Sequence, residues 1–545
     1  MPARLFFGLK IASFLILLGG FLFITSHSID PDLGWHLAAG KWISWHHAVP
    51  RTDIYSHTMQ GFSWVDHEWL SDLCLWWLQV HGLWWIVVLL FTFFAAAPFA
   101  VWLYRSRSFL DLWFILLAAM FMPRIIGVRP QVISFFLFFI FYEIFSQRYY
   151  LNAESQKIFK QDIFPNARIS WWFLLLPIFF LLWANLHVGF VLALGFLGFM
   201  GAFYIIWQWW VTSHIPWRMV ITDASIFFLS ALATLANPYG WRVYEFFYHA
   251  LRSPETSKYI IEWQSVLAFP LFSTCVFIAM VLLFLFQLRR EYPRHVFAVG
   301  SLMLVGYLRS VRNGPLFFIV AIPALTQGVQ LLSQKISAVR QQAHMPFTPS
   351  ELKKMQQIGL ALVVTGLFGF VYVLNQFQNP GYPVIAAQNL REYIRQGNEV
   401  TLFNEYGWGG YLIWQVPEVR VFIDGRMDAW VDQNGNSAMR EYIAATDTTM
   451  PDAWKEVFRR RQITAVLVPN TAPPPMESLG WVDRMRWSFR QNHWIGGLYN
   501  ILVNEQPGRD FGQVLAQNGW HTLYQDSAAI FMECHNGPSC YGEKQ

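Results

Sequence analysis

The chain has 545 residues, of which 55% are hydrophobic, 18% aromatic and only 13% charged, whereas about 25% of the residues in an ordinary soluble protein are charged. This composition excludes a single soluble domain. The formal net charge of +5 at pH 7 comes from Lys and Arg residues scattered along the chain, without a basic stripe, so nucleic-acid binding has no support.

Apolar runs long enough to cross the roughly 30 Å hydrocarbon core of a bilayer recur along the first two thirds of the chain, and each crossing needs about 20 residues. The first run follows Arg4 and Lys10 as in a signal peptide, but no small-residue cleavage site comes after it, so we expect it to be kept as a membrane helix. Eleven membrane helices are predicted, at 8–26, 82–104, 109–127, 131–147, 170–186, 188–210, 220–236, 264–288, 295–309, 315–333 and 357–377.

The distribution of cations predicts the orientation of these helices. With the N-terminus in the cytoplasm, the cytoplasmic segments before residue 378 hold sixteen Lys and Arg residues, and the opposite side holds nine. Cytoplasmic loops carry an excess of Lys and Arg. An odd number of crossings then places everything after residue 377 outside the cytoplasm, as expected for a multi-pass protein of the cytoplasmic (inner) membrane with a periplasmic C-terminal domain.

From residue 378 the composition changes to that of a soluble α/β domain. EVTLFN, VRVFID, ITAVLVP and AAIFME are typical of short buried strands, while MPDAWKEVFRRR and DFGQVLAQNG are typical of helices. We therefore predict a transmembrane domain at 1–377 and an extracytoplasmic α/β domain at 378–545. Cys534 and Cys540 flank a turn-forming Asn-Gly-Pro, and they either form a disulfide or remain two surface thiols.

The predicted topology brings the unusual polar residues to one face of the membrane. Charged groups at membrane depth are costly and usually line a polar cavity, so we predict one cavity that opens away from the cytoplasm. The residues are Asp30, Asp32, His36, His67 and Glu68 in the first outer loop, Arg124 and Arg129 in the second, Asn185 and His187 in the third, Asn237 and Glu262 around the fourth, and Arg309 and Arg312 in the fifth.

The first outer loop is the stretch best suited to chemistry. Asp30 can cap a helix whose first residue is Pro31, and Asp32 and His36 then share a face of that helix. A second helix after Ser63 would place Glu68 on the same face as Asp72, four residues on. The alternative is structural: Asp30 is only a cap, and the Trp and His residues form an interfacial belt.

Structural alternatives also exist for the other polar residues. The arginines either snorkel to lipid headgroups from helix ends or bind phosphate oxygens bidentately. His187 and Asn185 either contact a substrate or, as we prefer, satisfy backbone groups where the chain reverses. In FIDGRMDAW, Asp424, Arg426 and Asp428 form either a loop that contacts an acceptor or an Asp-Gly turn with an ion pair.

An acidic pair directly after the first membrane helix, interfacial helices, about a dozen crossings and an outer α/β domain resemble the C-type membrane glycosyltransferases, which use polyprenyl-phosphate or polyprenyl-diphosphate sugars. The strings DPDLGWHLAAG, PRTDIYSHT, WVDHEWLS, WANLHVGF, NPYG and GWGGYLIWQVPEVRVFIDGR are similar to a bacterial group of such transferases. EYGWGGYLIW at 405–414 lacks the consecutive Trp-Trp-Asp of the acceptor-recognition motif of oligosaccharyltransferases.

The resemblance implies that Asp32 acts as general base while a sugar passes from a polyprenyl-phosphate carrier to a hydroxyl group of a glycan, lipid or protein, with inversion. Asp30 and Glu68 would assist in catalysis. The donor and its phosphate would be bound by His36, His67, Arg124, Arg129, His187, Asn237, Glu262, Arg309 and Arg312.

A divalent metal such as Mg²⁺ or Mn²⁺ would suit the oxygen and nitrogen donors of Asp30, Asp32, His67, Glu68 and Glu262, but the arginines already supply positive charge, so metal dependence stays open.

Two other functions are alternatives to the enzyme. A transporter or flippase for a lipid-linked glycan predicts ionisable residues at midspan and paired repeats of broken helices, which the sequence lacks. A non-catalytic assembly protein would depend on its outer domain alone.

Overall fold

The structure is a computed structural model, and it describes residues 3–27, 30–123, 125–149, 171–215, 217–265, 294–343, 345, 347–375, 381–447, 450, 452–470, 511–534 and 541. The chain forms two compact units. The first, called the helical unit, comprises Met1–Ile29, Leu78–Tyr244 and Cys275–Gln378. The second, called the mixed unit, comprises Asp30–Trp77, Glu245–Thr274 and Asn379–Gln545.

The helical unit has helices at ten of the eleven predicted positions. The predicted crossing at 264–288 lies outside the described residues beyond its first two positions, and the count of eleven stays a prediction. The described helices are Ala3–His27 (α1), Trp84–Arg105, Phe109–Met120, Pro130–Tyr149, Trp171–Leu174, Leu176–Leu186, Phe190–Thr212, Trp217–Thr234, Arg294–Arg309, Gly314–Gln342 and Pro349–Asn375, with a short 3-10 helix at Val311–Asn313.

Four of the helices in the described part of the chain are long and apolar enough to cross a membrane: Arg4–His27, Trp84–Arg105, Trp217–Thr234 and Pro349–Leu374. Shorter apolar helices include Phe109–Met120, Pro130–Ser146, Leu176–Leu186, Phe190–Phe203 and Val311–Thr326. Many of their outward side chains are large and apolar, as a helix surface in lipid requires. The protein is therefore a polytopic α-helical membrane protein.

The mixed unit is built on a four-stranded sheet with the strand order β1-β2-β4-β3. Strand β1 (Leu402–Asn404) pairs in parallel with β2 (Ala465–Pro469), and β4 (Ala529–Glu533) pairs antiparallel with β2 and with β3 (His521–Gln525). Helices Val384–Arg395, Gly409–Gln415, Ala438–Thr446, Ala453–Arg461 and Phe511–Gln517 belong to the same unit. The predicted α/β class of the C-terminal part is confirmed.

One predicted strand is wrong. VRVFID, at 419–424, is not part of the sheet, because Val421 forms only an isolated parallel bridge, with Ser56 of the first loop. The backbone bonds of that bridge run from His57 N to Val421 O at 3.1 Å and from Val421 N to Tyr55 O at 3.0 Å. A buried apolar run followed by Asp-Gly has the composition of a strand, but its partner is a loop more than 350 residues away in sequence.

The first loop thus folds together with the C-terminal part of the chain. Its two helices are Leu33–His46 (α2) and Trp69–Val80 (α3), and α3 leads into the helical unit. His57 Nε2 is hydrogen-bonded to the carbonyl oxygen of Leu402 in β1 at 2.9 Å, and Thr58 Oγ1 donates to that of Phe422 at 2.5 Å. The remaining described segment of this unit, 245–265, begins within the helix Arg242–Arg252 and includes the helix Pro254–Tyr259 and a 3-10 turn at Ile261–Trp263.

Candidate functional site

Asp32 lies at the N-cap of α2 but does not use its side chain as a cap. Asp30 Oδ1 accepts a hydrogen bond from Asp32 N at 2.8 Å, and Asp30 O accepts one from Leu33 N at 3.1 Å. The helix therefore begins at Leu33, two residues later than predicted. Asp32 Oδ1 instead accepts a hydrogen bond from Trp35 Nε1 at 3.0 Å. The carboxylate is therefore held at the end of the helix without capping its backbone N–H groups.

Gly425 of the mixed unit lies directly against the Asp32 carboxylate. A Cβ atom at Gly425 would stand 1.8 Å from Asp32 Oδ1, which leaves room for a hydrogen atom only. Gly34 and Gly410 make a similar approach, because a Cβ at Gly34 would stand 2.0 Å from Gly410 O. The glycines of GWGG and FIDG therefore let α2, the helix Gly409–Gln415 and the loop after Ile423 pack backbone to backbone around Asp32.

The carboxyl group of Asp32 sits in an acidic environment. Burial raises its pKa above the usual range, and the charges of Glu262 and Asp424 raise it further. His36 and the hydrogen bond from Trp35 oppose this shift. Glu262, predicted as a site residue, thus lies within electrostatic reach of Asp32, although it comes from a segment about 230 residues away in sequence.

Ion pairs of Arg426 stabilise the loop that contains Gly425. Its Nε and Nη2 donate to the two carboxylate oxygens of Asp424 at 2.8 and 2.6 Å, and Nη2 also lies 2.9 Å from Oδ1 of Asp53 in the first loop. Asp424 Oδ1 also accepts from Arg426 N at 3.0 Å and caps the 3-10 turn Gly425–Met427. The predicted ion pair is present. The guanidinium carbon lies over the rings of Tyr55, Trp64 and Trp430, at 5.0, 4.6 and 5.3 Å from their centroids.

His36 is buried between two acids that belong to the start of α3. Its Nδ1 is 2.6 Å from Asp72 Oδ1, and its Nε2 is 3.6 Å from Glu68 Oε2. Because the pKa of His36 is lowered by burial, the ring is neutral near pH 7. His36 of α2 thus contacts two acids at the start of α3, which begins at Trp69 and not after Ser63 as predicted.

Asp66 extends this acidic cluster. Burial raises the pKa of Asp66 well above its usual range, and so does the neighbouring charge of Asp72. Burial likewise raises the pKa of Asp72. His67 is less central: its Nδ1 lies 3.7 Å from Glu68 Oε1, and its ring lies against Phe246 with the centroids 4.6 Å apart.

One group of residues in the described part of the chain has the donor types and spacing of a metal site. His36, Glu68 and Asp72 each offer a ligand atom, these atoms lie within 4.8 Å of one another, and all three residues are buried. Glu68 belongs to the donor set predicted from the sequence. The others in that set, Asp30, Asp32, His67 and Glu262, are not part of this group.

In the helical unit, His187 and its neighbours serve the turn between two helices. Gly189 N donates to His187 Nδ1 at 2.9 Å, so Nδ1 is the acceptor nitrogen, and Ser134 Oγ lies 2.7 Å from it. Ser134 Oγ in turn accepts from Trp183 Nε1 at 2.7 Å. Asn185 Nδ2 donates to the carbonyl oxygens of Leu181 at 2.9 Å and Ala236 at 3.2 Å. These bonds agree with the preferred interpretation, in which His187 and Asn185 form hydrogen bonds with backbone groups where the chain reverses.

Asn237 has the same kind of role in the NPYG turn. Its Nδ2 donates to the carbonyl oxygens of Thr234 at 2.7 Å and Gly240 at 3.1 Å, and its Oδ1 accepts from Tyr239 N at 2.8 Å. Both ends of the amide are therefore engaged by the turn itself. A direct contact between Asn237 and a donor molecule stays a prediction.

Three of the four candidate arginines lie in described parts of the helical unit. Arg129 precedes the helix Pro130–Tyr149, Arg309 ends the helix Arg294–Arg309, and Arg312 lies in the following 3-10 turn. Arg124 lies outside the described residues. The single cavity that would join these arginines to Asp32 stays a prediction, because the acids belong to the other compact unit.

Sequence reasoning did not identify Asp53 or Asp66 as part of the site. Both are polar residues in the first loop, and only the fold shows that one meets Arg426 and the other meets Asp72. The available signal was the glycine pattern: Gly34, Gly409, Gly410 and Gly425 accompany the acidic segments, and close backbone approach is a common reason for glycine.

Comparison with known proteins supports the fold. No family model and no curated protein sequence matches the chain. A solved structure that does match is the archaeal oligosaccharyltransferase AglB from Archaeoglobus fulgidus, in complex with an inhibitory peptide and a dolichol-phosphate. The TM-score is 0.53 at 11% sequence identity, and the match covers 97% of this chain and 74% of that chain. The chain thus shares the overall fold of this membrane oligosaccharyltransferase.

Proposed function

We propose that the protein is an integral-membrane glycosyltransferase that moves a sugar from a polyprenyl-phosphate carrier to a hydroxyl group of a glycan, lipid or protein acceptor on the outer face of the cytoplasmic membrane. The observation that carries this proposal is the Asp32 carboxylate. It lies directly after the first membrane helix, makes no cap bond, and is held against Gly425 among other acids. The shared fold with a structure that contains a dolichol-phosphate supports the class of donor.

Asp32 is the general base in this proposal. Its carboxylate takes the proton of the acceptor hydroxyl as that oxygen forms a bond to the anomeric carbon. The bond between that carbon and the phosphate oxygen breaks at the same time, and the polyprenyl phosphate leaves with its electron pair, so the configuration at the anomeric carbon is inverted. A raised pKa makes a carboxylate a stronger base, which suits this role.

The arginines of the helical unit are assigned to the departing phosphate. Guanidinium groups bind phosphate oxygens bidentately, and stabilising the charge of a leaving group is usually the largest electrostatic contribution to such a reaction. Arg124, Arg129, Arg309 and Arg312 are the candidates, while Asp30 holds the backbone of the first loop at Asp32. The N-terminus would lie in the cytoplasm and the mixed unit outside it, as the Lys and Arg distribution indicates.

The class of donor is tested first. The full-length protein is purified in mild detergent, and the lipids that accompany it are extracted and identified by mass spectrometry. Radiolabelled undecaprenyl-phosphate hexoses are then incubated with the protein and a membrane extract, and transfer is measured as label leaving the lipid fraction. We expect a polyprenyl-phosphate lipid and transfer from at least one hexose. Ordinary phospholipid alone, without transfer from any hexose, would contradict the proposal.

Asp32→Asn tests the base, because the amide keeps the shape of the side chain but cannot take a proton. We expect transfer to fall by about 10²- to 10⁴-fold, the usual contribution of a general base. Asp452→Asn is the matched control, since Asp452 is an exposed N-cap residue of the same unit and makes no side-chain cap bond. Equal transfer by both variants, with equal thermal stability, would remove Asp32 from the mechanism.

A further inference from the structure

The buried pair of His36 and Glu68 has an unusual geometry. His36 is 2% exposed and Glu68 is 7% exposed, and the distance of 3.6 Å between His36 Nε2 and Glu68 Oε2 is too long for a hydrogen bond. On the other side of the ring, His36 Nδ1 is hydrogen-bonded to Asp72 Oδ1 at 2.6 Å. Since a neutral imidazole that donates from Nδ1 has its lone pair on Nε2, the lone pair faces the oxygen of Glu68.

That distance fits two ligands of one metal ion. Imidazole nitrogen and carboxylate oxygen bind ions such as Zn²⁺ at about 2.0 to 2.2 Å, so two such ligands are about 3.4 Å apart at a tetrahedral angle and about 4.2 Å apart when they lie opposite each other. The observed 3.6 Å lies between these limits. Binding of one ion would therefore require little change in the distance between these two donor atoms.

Asp72 has the position of a residue that orients a metal-binding histidine. Histidines that bind metals almost always donate from the other ring nitrogen to a carboxylate, a carbonyl or water, which fixes the ring and makes it a better ligand. The hydrogen bond between Asp72 Oδ1 and His36 Nδ1 places a fully buried carboxylate at that point.

A second observation also points to a cation. Asp66 Oδ2 and Asp72 Oδ2 are both fully shielded from solvent, and among the described residues no N–H group or hydroxyl donates to either oxygen, so at these oxygens the two carboxyls pair only with each other. Asp66 is 2% exposed and Asp72 is not exposed at all. Arg426, whose charge acts on both Asp66 and Asp72, directs its Nε and Nη2 to Asp424 and Asp53. Two buried carboxyl oxygens that pair only with each other favour a positive charge bound nearby.

We propose that His36 Nε2 and the Glu68 carboxylate bind a divalent transition-metal ion, with Asp72 orienting the imidazole. An imidazole ligand combined with carboxylates favours Zn²⁺ or Mn²⁺ over Mg²⁺ and Ca²⁺, which prefer oxygen alone. The remaining coordination positions are left for water or for an oxygen of a bound molecule. The inference does not depend on the proposed glycosyl transfer, because the site is defined by its own side chains.

The test measures the ion directly. The full-length protein is purified through a tag without histidine, stripped with EDTA, and equilibrated with micromolar Mn²⁺ or Zn²⁺ and, separately, with Mg²⁺. Bound metal is measured by inductively coupled plasma mass spectrometry, and binding of Mn²⁺ is followed by the loss of the electron paramagnetic resonance signal of the free ion. We expect about one tightly bound ion per chain, a higher melting temperature with Mn²⁺ or Zn²⁺, and little effect of Mg²⁺.

Three variants separate this site from other donors. Glu68→Gln removes a ligand at constant shape and should abolish binding, and His36→Ala should do the same. Asp72→Asn should weaken binding by about 10- to 100-fold, the usual cost of losing an orienting partner. His46→Ala is the control, because His46 is an exposed histidine at the end of the same helix.

Less than about one tenth of an ion per chain in the wild type would overturn the proposal, and so would equal binding by wild type and Glu68→Gln. If His36→Ala does not fold, Glu68→Gln and Asp72→Asn still decide the question, since both keep the volume of the side chain. Failure of metal binding would leave the Asp32→Asn result untouched, so the two proposals fail separately.

Discussion

In the helical unit, the side chains of Asn237 and His187 are hydrogen-bonded to groups at their own turns, whereas in the mixed unit several acids lie close to one another. Asn237 binds three backbone groups of the NPYG turn, and His187 binds Gly189 and Ser134. Asp32, by contrast, leaves its cap position unused and faces Gly425. A polar residue next to a membrane run is therefore a weak sign of a site unless its hydrogen bonds are known.

The two units also differ in how an arginine is paired with acidic residues. Arg105 and Glu143 form a bidentate pair between two helices of the helical unit, with the Arg105 side chain more than half exposed. Arg426 is buried, shared between two carboxylates and enclosed by three rings. We expect the mixed unit to depend on such buried contacts more strongly than the helical unit does, and four substitutions test this expectation.

The largest effect is expected for Arg426→Met. Removal of one partner of a buried ion pair leaves uncompensated charge on Asp424 and Asp53, which costs about 3 to 5 kcal/mol. The matched variant is Arg440→Met, because Arg440 pairs with Glu255 at 2.7 Å but is half exposed, and an exposed pair contributes about 0 to 1 kcal/mol. Denaturant unfolding of the purified protein measures both, and similar losses for the two variants would contradict the assigned role of Arg426.

The next effect is expected for Gly425→Ala. The added methyl group would overlap Asp32 Oδ1, and overpacking of this kind costs about 1 to 3 kcal/mol. Because Asp32 must move, transfer should fall by more than the loss of stability explains. Gly407→Ala serves as the control, since a Cβ there meets nothing within 4 Å. Normal transfer by Gly425→Ala would show that the close approach to Asp32 has no functional importance.

A smaller effect is expected for Ser134→Ala in the helical unit. This change removes the acceptor of Trp183 Nε1 and the hydroxyl partner of His187, and hydrogen bonds between membrane helices contribute about 0.6 kcal/mol on average, with a maximum of about 1.7. The melting temperature should fall slightly while transfer is retained. A loss of transfer without a loss of stability would instead assign His187 to the reaction.

The smallest effect concerns Glu405, whose pKa is raised by burial and which accepts a hydrogen bond from Tyr442 at 2.6 Å. A raised pKa in the folded state means that this group stabilises the fold most below its unfolded pKa, and that the contribution is lost as pH rises through the folded value. The stability of Glu405→Gln relative to that of the wild type should therefore increase as the pH rises. If the melting temperatures of the two proteins differed by the same amount at every pH from about 4 to 8, this sign would be contradicted.

The sequence predicted the positions of ten helices of the helical unit, because long apolar runs are visible in composition alone, and the number of membrane crossings stays a prediction. It also predicted β1, β2 and β4, whose apolar runs are buried in the sheet. Strand β3 was missed because HTLYQ is mostly exposed and carries no apolar pattern. The run VRVFID was misassigned because composition does not reveal that Val421 pairs with a distant loop.

Parts of the candidate site were also accessible from the sequence. The i, i+4 spacing correctly placed His36 next to Asp32, and Glu68 next to Asp72, since helix geometry is local. The start of α2 was displaced because Asp30 binds the Asp32 amide and delays the helix. The contacts of Asp32 with Gly425, and of Arg426 with Asp53, join segments more than 370 residues apart, and no local pattern encodes them.

The hydrogen bond from His57 to Leu402 spans 345 residues of sequence, and this has a consequence for biogenesis. At about 5 to 20 residues per second, a ribosome needs roughly 20 to 70 seconds to make that intervening stretch. During this interval the acidic loop that follows α1 has emerged without the strand it will join. A nascent chain released before residue 402 should therefore expose residues 50–64 to proteases. A chaperone in that compartment would have to shield these residues.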